Sequence, residues 1–123
     1  MRLVDTSAWI EWLIDSPTAE RLAPAMPTAE DWLVPTMVQL ELGKWLKRHR
    51  VEQLDPTIAL SRTCIVVPMT MRIALLAAEI CVTHKLATAD AVIYATAQEH
   101  GADLLTCDAH FRDLPGVVLV EKL

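Results

Sequence analysis

Short apolar segments alternate with longer amphipathic segments along the whole chain. Runs rich in aliphatic and β-branched residues predict five strands, at 1–4, 32–35, 64–68, 103–107 and 117–121. The segments between them have apolar residues at helical spacing and predict helices at 7–15, 18–26, 37–49, 52–62, 70–84 and 88–100. Because strands that alternate with helices usually pair in parallel, this order predicts an α/β fold in which helices surround a parallel sheet.

Three residues mark expected helix ends. Thr70 and Thr88 are expected N-caps, and Gly101 stands where a C-cap glycine belongs. The helix predicted at 70–84 is apolar on almost every side except at Arg72 and Glu79. A helix of this kind is expected to be covered on more than one face.

Composition adds limits on size, location and partners. With 123 residues the chain is expected to form one domain, 1–123. Its apolar content of 53% is slightly high, which suggests a buried protein interface. The net charge of −5 argues against a protein that coats nucleic acid through bulk charge, so a phosphate-containing substrate needs a local basic patch or bridging cations.

Several function classes are excluded by what the sequence lacks. Three glycines cannot form a GxGxxG or GxxxxGK[ST] phosphate loop. No apolar run is long enough to span a membrane, and Asp5 falls where a signal peptide would be apolar, so we expect a cytoplasmic protein. Cys64, Cys81 and Cys107 are odd in number and lack a CxxC pair, and we expect buried thiols.

Four carboxylates stand apart from the solvated acids of helix faces and connections. Asp5 and Asp108 each follow a predicted strand, at the sheet edge where α/β proteins bind ligands. Asp90 lies in the first turn of a predicted helix, and Glu41 lies within a helix beside apolar residues. Each aspartate has a simpler interpretation as a helix cap or a dipole partner, whereas a carboxylate at position 41 must reach solvent or a partner.

If these four groups converge, they need cations. Each close pair of carboxylates repels by about 4 kcal/mol at an effective dielectric constant of 20. Hard oxygen ligands select Mg²⁺ or Mn²⁺. The chemistry that such a site supports is metal-assisted hydrolysis of a phosphodiester bond.

The segments LVDTSAWIE, QLELGK, TADAVIYATAQEHGADLLTCDAHF and LPGVVLVE resemble the PIN-domain nucleases, specifically the VapC-type toxins of toxin–antitoxin pairs. The resemblance implies a three-layer α/β/α sandwich whose parallel sheet has the strand order 3-2-1-4-5. It also implies cleavage of RNA with Mg²⁺ or Mn²⁺, a VapB-like antitoxin partner and a homodimer.

The resemblance also assigns roles to individual residues. The family's four acidic positions match, in chain order, Asp5, Glu41, Asp90 and Asp108. Small hydroxyl side chains that the family places near its metals match Thr6, Ser7 and Thr106. Ordinary turn or capping roles explain these three hydroxyls equally well.

Other features leave alternatives open. A basic run follows Glu41 and either gathers RNA phosphates or is a solvated helix end; it comprises Lys44, Lys47, Arg48, His49 and Arg50. The four histidines share no metal-ligand spacing and are expected to be structural or exposed. A signalling receiver would need an aspartate at the end of the third strand, where Pro68 stands, and a haloacid-dehalogenase-like phosphatase would need one at position 7, which is serine. A PIN-like module that binds RNA or protein without cleaving it remains an alternative.

Overall fold

The five strands form one parallel sheet in a computed structural model that describes residues 1–123. They are β1 (Arg2–Val4), β2 (Trp32–Pro35), β3 (Ile65–Val67), β4 (Asp103–Thr106) and β5 (Val117–Leu119). Their order in the sheet is β3-β2-β1-β4-β5, and every neighbouring pair is parallel. The predicted fold class and the strand order implied by the family resemblance are confirmed.

Six α-helices surround the sheet: α1 (Thr6–Leu13), α2 (Ala19–Leu22), α3 (Thr36–His49), α4 (Leu54–Arg62), α5 (Met71–His84) and α6 (Thr88–Glu99). From β1 to β3 the chain steps toward one edge of the sheet, and from β3 to β4 it returns across it. Because such crossovers are right-handed, the two directions place helices on opposite faces. None of these helices combines the length and the apolar character that crossing a membrane requires.

The predicted helix at 18–26 is shorter than expected. Only Ala19–Leu22 is α-helical, and a 3₁₀ turn, Ala23–Ala25, follows it. Pro24 lies in this turn and has no N–H to continue the α-helical hydrogen bonds, which explains the change.

The centre of the sheet is covered on both faces. In β1, β2 and β4 the aliphatic side chains are fully buried, as is most of α6 from Ala91 to Ala97. β3 lies at the edge, and its Ile65 and Val66 are each 37% exposed. The buried strands therefore read as continuous apolar runs, as in other parallel sheets covered on both faces.

Two of the three predicted helix caps are correct. Thr70 caps α5, since its side-chain oxygen accepts a hydrogen bond from the Ile73 N–H at 3.2 Å. Gly101 follows α6 with a φ of 64° and ends it as predicted. The prediction for Thr88 is wrong, because Ala87 is the N-cap and Thr88 is already helical.

Two expectations about burial need correction. In this chain α5 is covered on one face only, through Ile73, Ala77 and Ile80. Of the three thiols, Cys107 is buried, whereas the other two, Cys64 and Cys81, are only half-buried. The exposed apolar face of α5 is therefore open to contact with another molecule.

Candidate active site

The four predicted carboxylates come from four different elements that meet at one edge of the sheet. Asp5 directly follows β1, and Asp108 follows β4, the neighbouring strand. Glu41 lies in α3, which begins where β2 ends, and Asp90 lies in the first turn of α6. The Asp5 N–H donates to the Leu105 carbonyl at 2.8 Å and so joins the ends of the two central strands.

Asp5 is the most deeply placed of the four, with 4% of its surface exposed. One carboxylate oxygen, Oδ2, accepts hydrogen bonds from the hydroxyls of Ser7 at 2.7 Å and Thr106 at 2.8 Å. Burial raises the pKa of Asp5, the two hydroxyls oppose that rise, and the negative charge of Glu41 adds to it. Asp5 occupies the N-cap position of α1, but its side chain makes no capping hydrogen bond, so capping does not explain it.

The hydroxyls form a connected network around the carboxylates. The Ser7 and Thr106 oxygens lie 3.2 Å apart. The backbone N–H of Cys107 donates to Ser7 Oγ, and that of Asp108 donates to Thr106 Oγ1, each at 3.0 Å. On the other side of the site, Thr6 Oγ1 donates to Glu41 Oε1 at 2.7 Å. Each of the three predicted hydroxyls therefore contacts a carboxylate of the site.

The titration of Asp90 is strongly perturbed. Its pKa is raised from 3.8 to about 6, first by burial and then by the negative charges of Asp108, Asp5 and Glu41. These three negative charges all act on Asp90, and of the four predicted carboxylates Asp90 and Asp108 have ligand atoms within 4.8 Å of each other. The neighbouring His110 side chain partly opposes the rise in the pKa of Asp90.

Asp108 both caps a 3₁₀ turn and lies in the site. Its Oδ1 accepts a hydrogen bond at 2.9 Å from the backbone N–H of His110, at the start of a 3₁₀ turn, Ala109–Phe111. The capping interpretation is therefore correct for Asp108. It is also compatible with ligand binding, because Oδ2 accepts no hydrogen bond from the chain.

His110 belongs to the site, which the sequence alone did not indicate. Its Nδ1 lies 3.0 Å from Asp108 Oδ1, although 79% of its side chain is exposed. Asp90, Asp108 and His110 each offer a ligand atom, and these atoms lie within 4.8 Å of one another. The sequence predicted that each histidine is structural or exposed; His110 is exposed, but it also lies among possible ligands, which the spacing between histidines did not indicate. The useful signal was its place two residues after Asp108.

The donor set fits a divalent cation. It consists of carboxylate oxygens, one of them almost fully buried, whose mutual repulsion falls when a cation lies between them. Such oxygen-rich sets suit Mg²⁺ and Mn²⁺. Asp5, Glu41, Asp90 and Asp108 are therefore the residues that would hold it.

The predicted basic run lies further along α3. Its five residues, Lys44, Lys47, Arg48, His49 and Arg50, are mostly exposed, and none belongs to an ion pair. This is compatible with phosphate binding and with a solvated helix end, so the role of the run stays a prediction.

Comparisons with known proteins agree with the fold. The family model for the PIN domain matches residues 2–117. A toxin–antitoxin complex from Klebsiella pneumoniae contains a chain that is 25% identical and superposes with a TM-score of 0.87, with 100% of both chains covered. VapC20 of Mycobacterium tuberculosis, a toxin that cleaves the sarcin–ricin loop, is 26% identical with a TM-score of 0.76, covering 99% of this chain and 100% of that one. No protein of curated function matches the sequence.

Proposed function

Because the chain belongs to the PIN-domain family, we propose that it is a Mg²⁺- or Mn²⁺-dependent endoribonuclease and the toxin of a type II toxin–antitoxin pair. The observation that carries the proposal is the convergence of Asp5, Glu41, Asp90 and Asp108 at one sheet edge. The likeness to a toxin–antitoxin complex and to a toxin that cleaves an RNA loop supports it. One domain, 1–123, would contain the whole site.

The chain's own residues would prepare the site for phosphodiester hydrolysis. A bound divalent ion supplies water activation and charge stabilisation at the leaving oxygen. Ser7 and Thr106 hold the Asp5 carboxylate in one orientation and favour its charged form. Thr6 does the same for Glu41. Supporting hydrogen bonds of this kind fix ligand orientation in metal sites generally.

Metal binding to these carboxylates is the direct test. Mn²⁺ should raise the melting temperature, since a ligand that binds only the native state stabilises it by about 2.7 kcal/mol at one hundred times its Kd. Asp5→Asn should reduce that rise, whereas Asp55→Asn, at an exposed acid on α4, should leave it unchanged. RNA cleavage should stop when EDTA removes the metal. An equal response of all three proteins to Mn²⁺ would exclude the four carboxylates as the binding site.

We also propose that two copies pair through α5. Met71, Leu75 and Val82 lie on one side of this helix and are 79%, 64% and 81% exposed. Exposed apolar residues aligned along a helix favour a protein contact. Sedimentation equilibrium should show a dimer that Leu75→Glu converts to a monomer. Val51→Glu, at an equally exposed apolar residue outside α5, should remain dimeric, and a monomeric wild type would contradict the pairing.

The alternative of a PIN-like module that binds RNA or protein without cleavage predicts a different result. It predicts that the protein binds RNA or protein and that RNA stays intact when Mg²⁺ or Mn²⁺ is added. The retention of all four carboxylates and of their hydroxyl partners favours the nuclease.

A further inference from the structure

A cleft of about 410 Å³ adjoins the acidic site on the side of α5 and α6. Its lining comprises His84, Lys85, Leu86, Ala87, Asp90 and His110. Asp90 and His110 also belong to the acidic site, so a molecule in this cleft would lie against Asp90. The remaining polar side chains of the lining are nitrogen donors, and one of them, Lys85, carries a positively charged ammonium group.

Lys85 has a backbone conformation that residues with long side chains rarely adopt. It ends α5 in the left-handed region, with φ 57° and ψ 36°. After α6 the chain places a glycine, Gly101, in the same region. The other non-glycine residues with positive φ are Asp15 and Asp113, a residue type whose short side chain tolerates it. The backbone conformation at position 85 therefore favours glycine, so it does not explain why the chain has lysine there.

Contacts within the folded chain do not explain the lysine either. Lys85 is exposed and takes part in none of the ion pairs. A cation that complements the α5 dipole would serve equally well in the last helical turn with ordinary backbone angles. The ammonium group is thus free for a ligand.

Two exposed histidines also line the cleft. His84 packs edge-on against Tyr94 with ring centroids 6.2 Å apart, and the Tyr94 hydroxyl donates to the Pro115 carbonyl at 2.7 Å. His110 contacts Asp108 through Nδ1, which leaves its Nε2 available. Two imidazoles and an ammonium group without an ion-pair partner match the oxygens of a phosphate.

We propose that this cleft binds a phosphate of the RNA backbone next to the bond that is cut, with Lys85 as the charged contact and His84 and His110 as hydrogen-bonding partners. The inference rests on the proposed function, because it assigns the cleft to the substrate of the same acidic site. It also answers a question of charge. A chain with a net charge of −5 needs local cations to hold a polyanion against four carboxylates.

The test compares RNA binding by wild type and Lys85→Gly. Binding of a short, labelled single-stranded RNA of mixed sequence is measured by fluorescence anisotropy over a range of salt concentrations, with Ca²⁺ in place of Mg²⁺. Lys85→Gly should weaken binding of this RNA by about three- to tenfold. The slope of log Kobs against log salt should become shallower by about 0.7, which corresponds to one lost phosphate contact on a single strand.

Stability separates this role from a structural one. Because glycine prefers the left-handed backbone, Lys85→Gly should melt at the wild-type temperature or above it. Lys85→Arg should keep the wild-type salt slope. Arg62→Gln removes an exposed cation at the end of α4 and should also keep it.

The other outcomes would overturn the proposal in distinguishable ways. If the wild type binds and cleaves RNA but Lys85→Gly has the wild-type salt slope, the phosphate subsite is refuted. The proposed nuclease function then still stands. A lower melting temperature with an unchanged slope would make Lys85 a structural residue. If Lys85→Gly binds a polyglutamate peptide more weakly than the wild type does, but binds RNA equally well, the cleft is assigned to an acidic protein segment and not to RNA. A wild type that neither binds nor cleaves RNA would end the proposed function together with the subsite.

Discussion

Replacing Asp90 with asparagine is expected to abolish RNA cleavage, with a loss of about a hundredfold or more, while the protein remains folded. The substitution keeps the size of the side chain but removes the negative charge that a divalent cation needs. The exposed Asp55→Asn variant is the matched control and should cleave at the wild-type rate. Full cleavage of RNA by purified Asp90→Asn protein would refute the proposed mechanism.

The same substitution should change stability in a pH-dependent way when metal is removed. The pKa of Asp90 is raised to about 6 in the folded protein from 3.8, so the native state binds this proton more tightly than the unfolded state. The resulting stability is fully present below the unfolded pKa of 3.8 and is lost as pH rises through about 6. An asparagine side chain does not ionise, so the Asp90→Asn variant avoids this loss.

Thermal unfolding in EDTA measures the difference. Asp90→Asn should melt above wild type at neutral pH, and the two melting temperatures should converge as pH falls below 3.8. Asp55→Asn should show no such convergence. A lower melting temperature for Asp90→Asn at neutral pH would indicate that Asp90 mainly stabilises the first turn of α6.

The fold could be predicted from the sequence because the hydrophobic patterns of its strands and helices indicate the same α/β arrangement. β1, β2 and β4 are buried on both faces and therefore appear as uninterrupted apolar runs, and the helices between them keep their spacing. Asp5 and Asp108 could be selected because parallel strands end at one edge, which places the residues after β1 and β4 together. The strand order itself came from the family resemblance.

Other features depend on conformations that the sequence pattern does not encode. His110 joins the site because the 3₁₀ turn after Asp108 turns its ring back toward that carboxylate. Lys85 lies beside the site because the chain leaves α5 through a left-handed residue. The exposed face of α5 was not foreseen, because an apolar side chain has the same pattern whether its own chain or another molecule covers it.

A cognate antitoxin is expected to suppress cleavage by about a hundredfold or more, by placing an arginine or lysine among Asp5, Glu41, Asp90 and Asp108. A charge-assisted pair with a carboxylate is among the stronger polar contacts in proteins, and it occupies the oxygens that a divalent ion needs. Metal and the inserted cation would compete, so each should weaken binding of the other by the same factor.

Partly exposed apolar side chains on α1 and α3 are available to such a segment. Leu40 is 60% exposed, and Trp12 and Trp45 are half-buried. Trp9, three residues before Trp12 on α1, is fully buried against Trp32, with ring centroids 4.6 Å apart. The contacts would therefore involve Trp12 and Trp45 and leave Trp9 in the core.

Parallel measurements of binding and cleavage on the purified complex test this switch. Changing the antitoxin's inserted basic residue to alanine should restore cleavage by a larger factor than it weakens binding, because the apolar contacts remain. Alanine at a basic residue outside the inhibitory segment should leave cleavage suppressed, and added Mn²⁺ should lower the affinity of the intact antitoxin but not of the alanine variant. A complex in which the inhibitory segment lies far from the four carboxylates, with metal still bound among them, would contradict this account of inhibition.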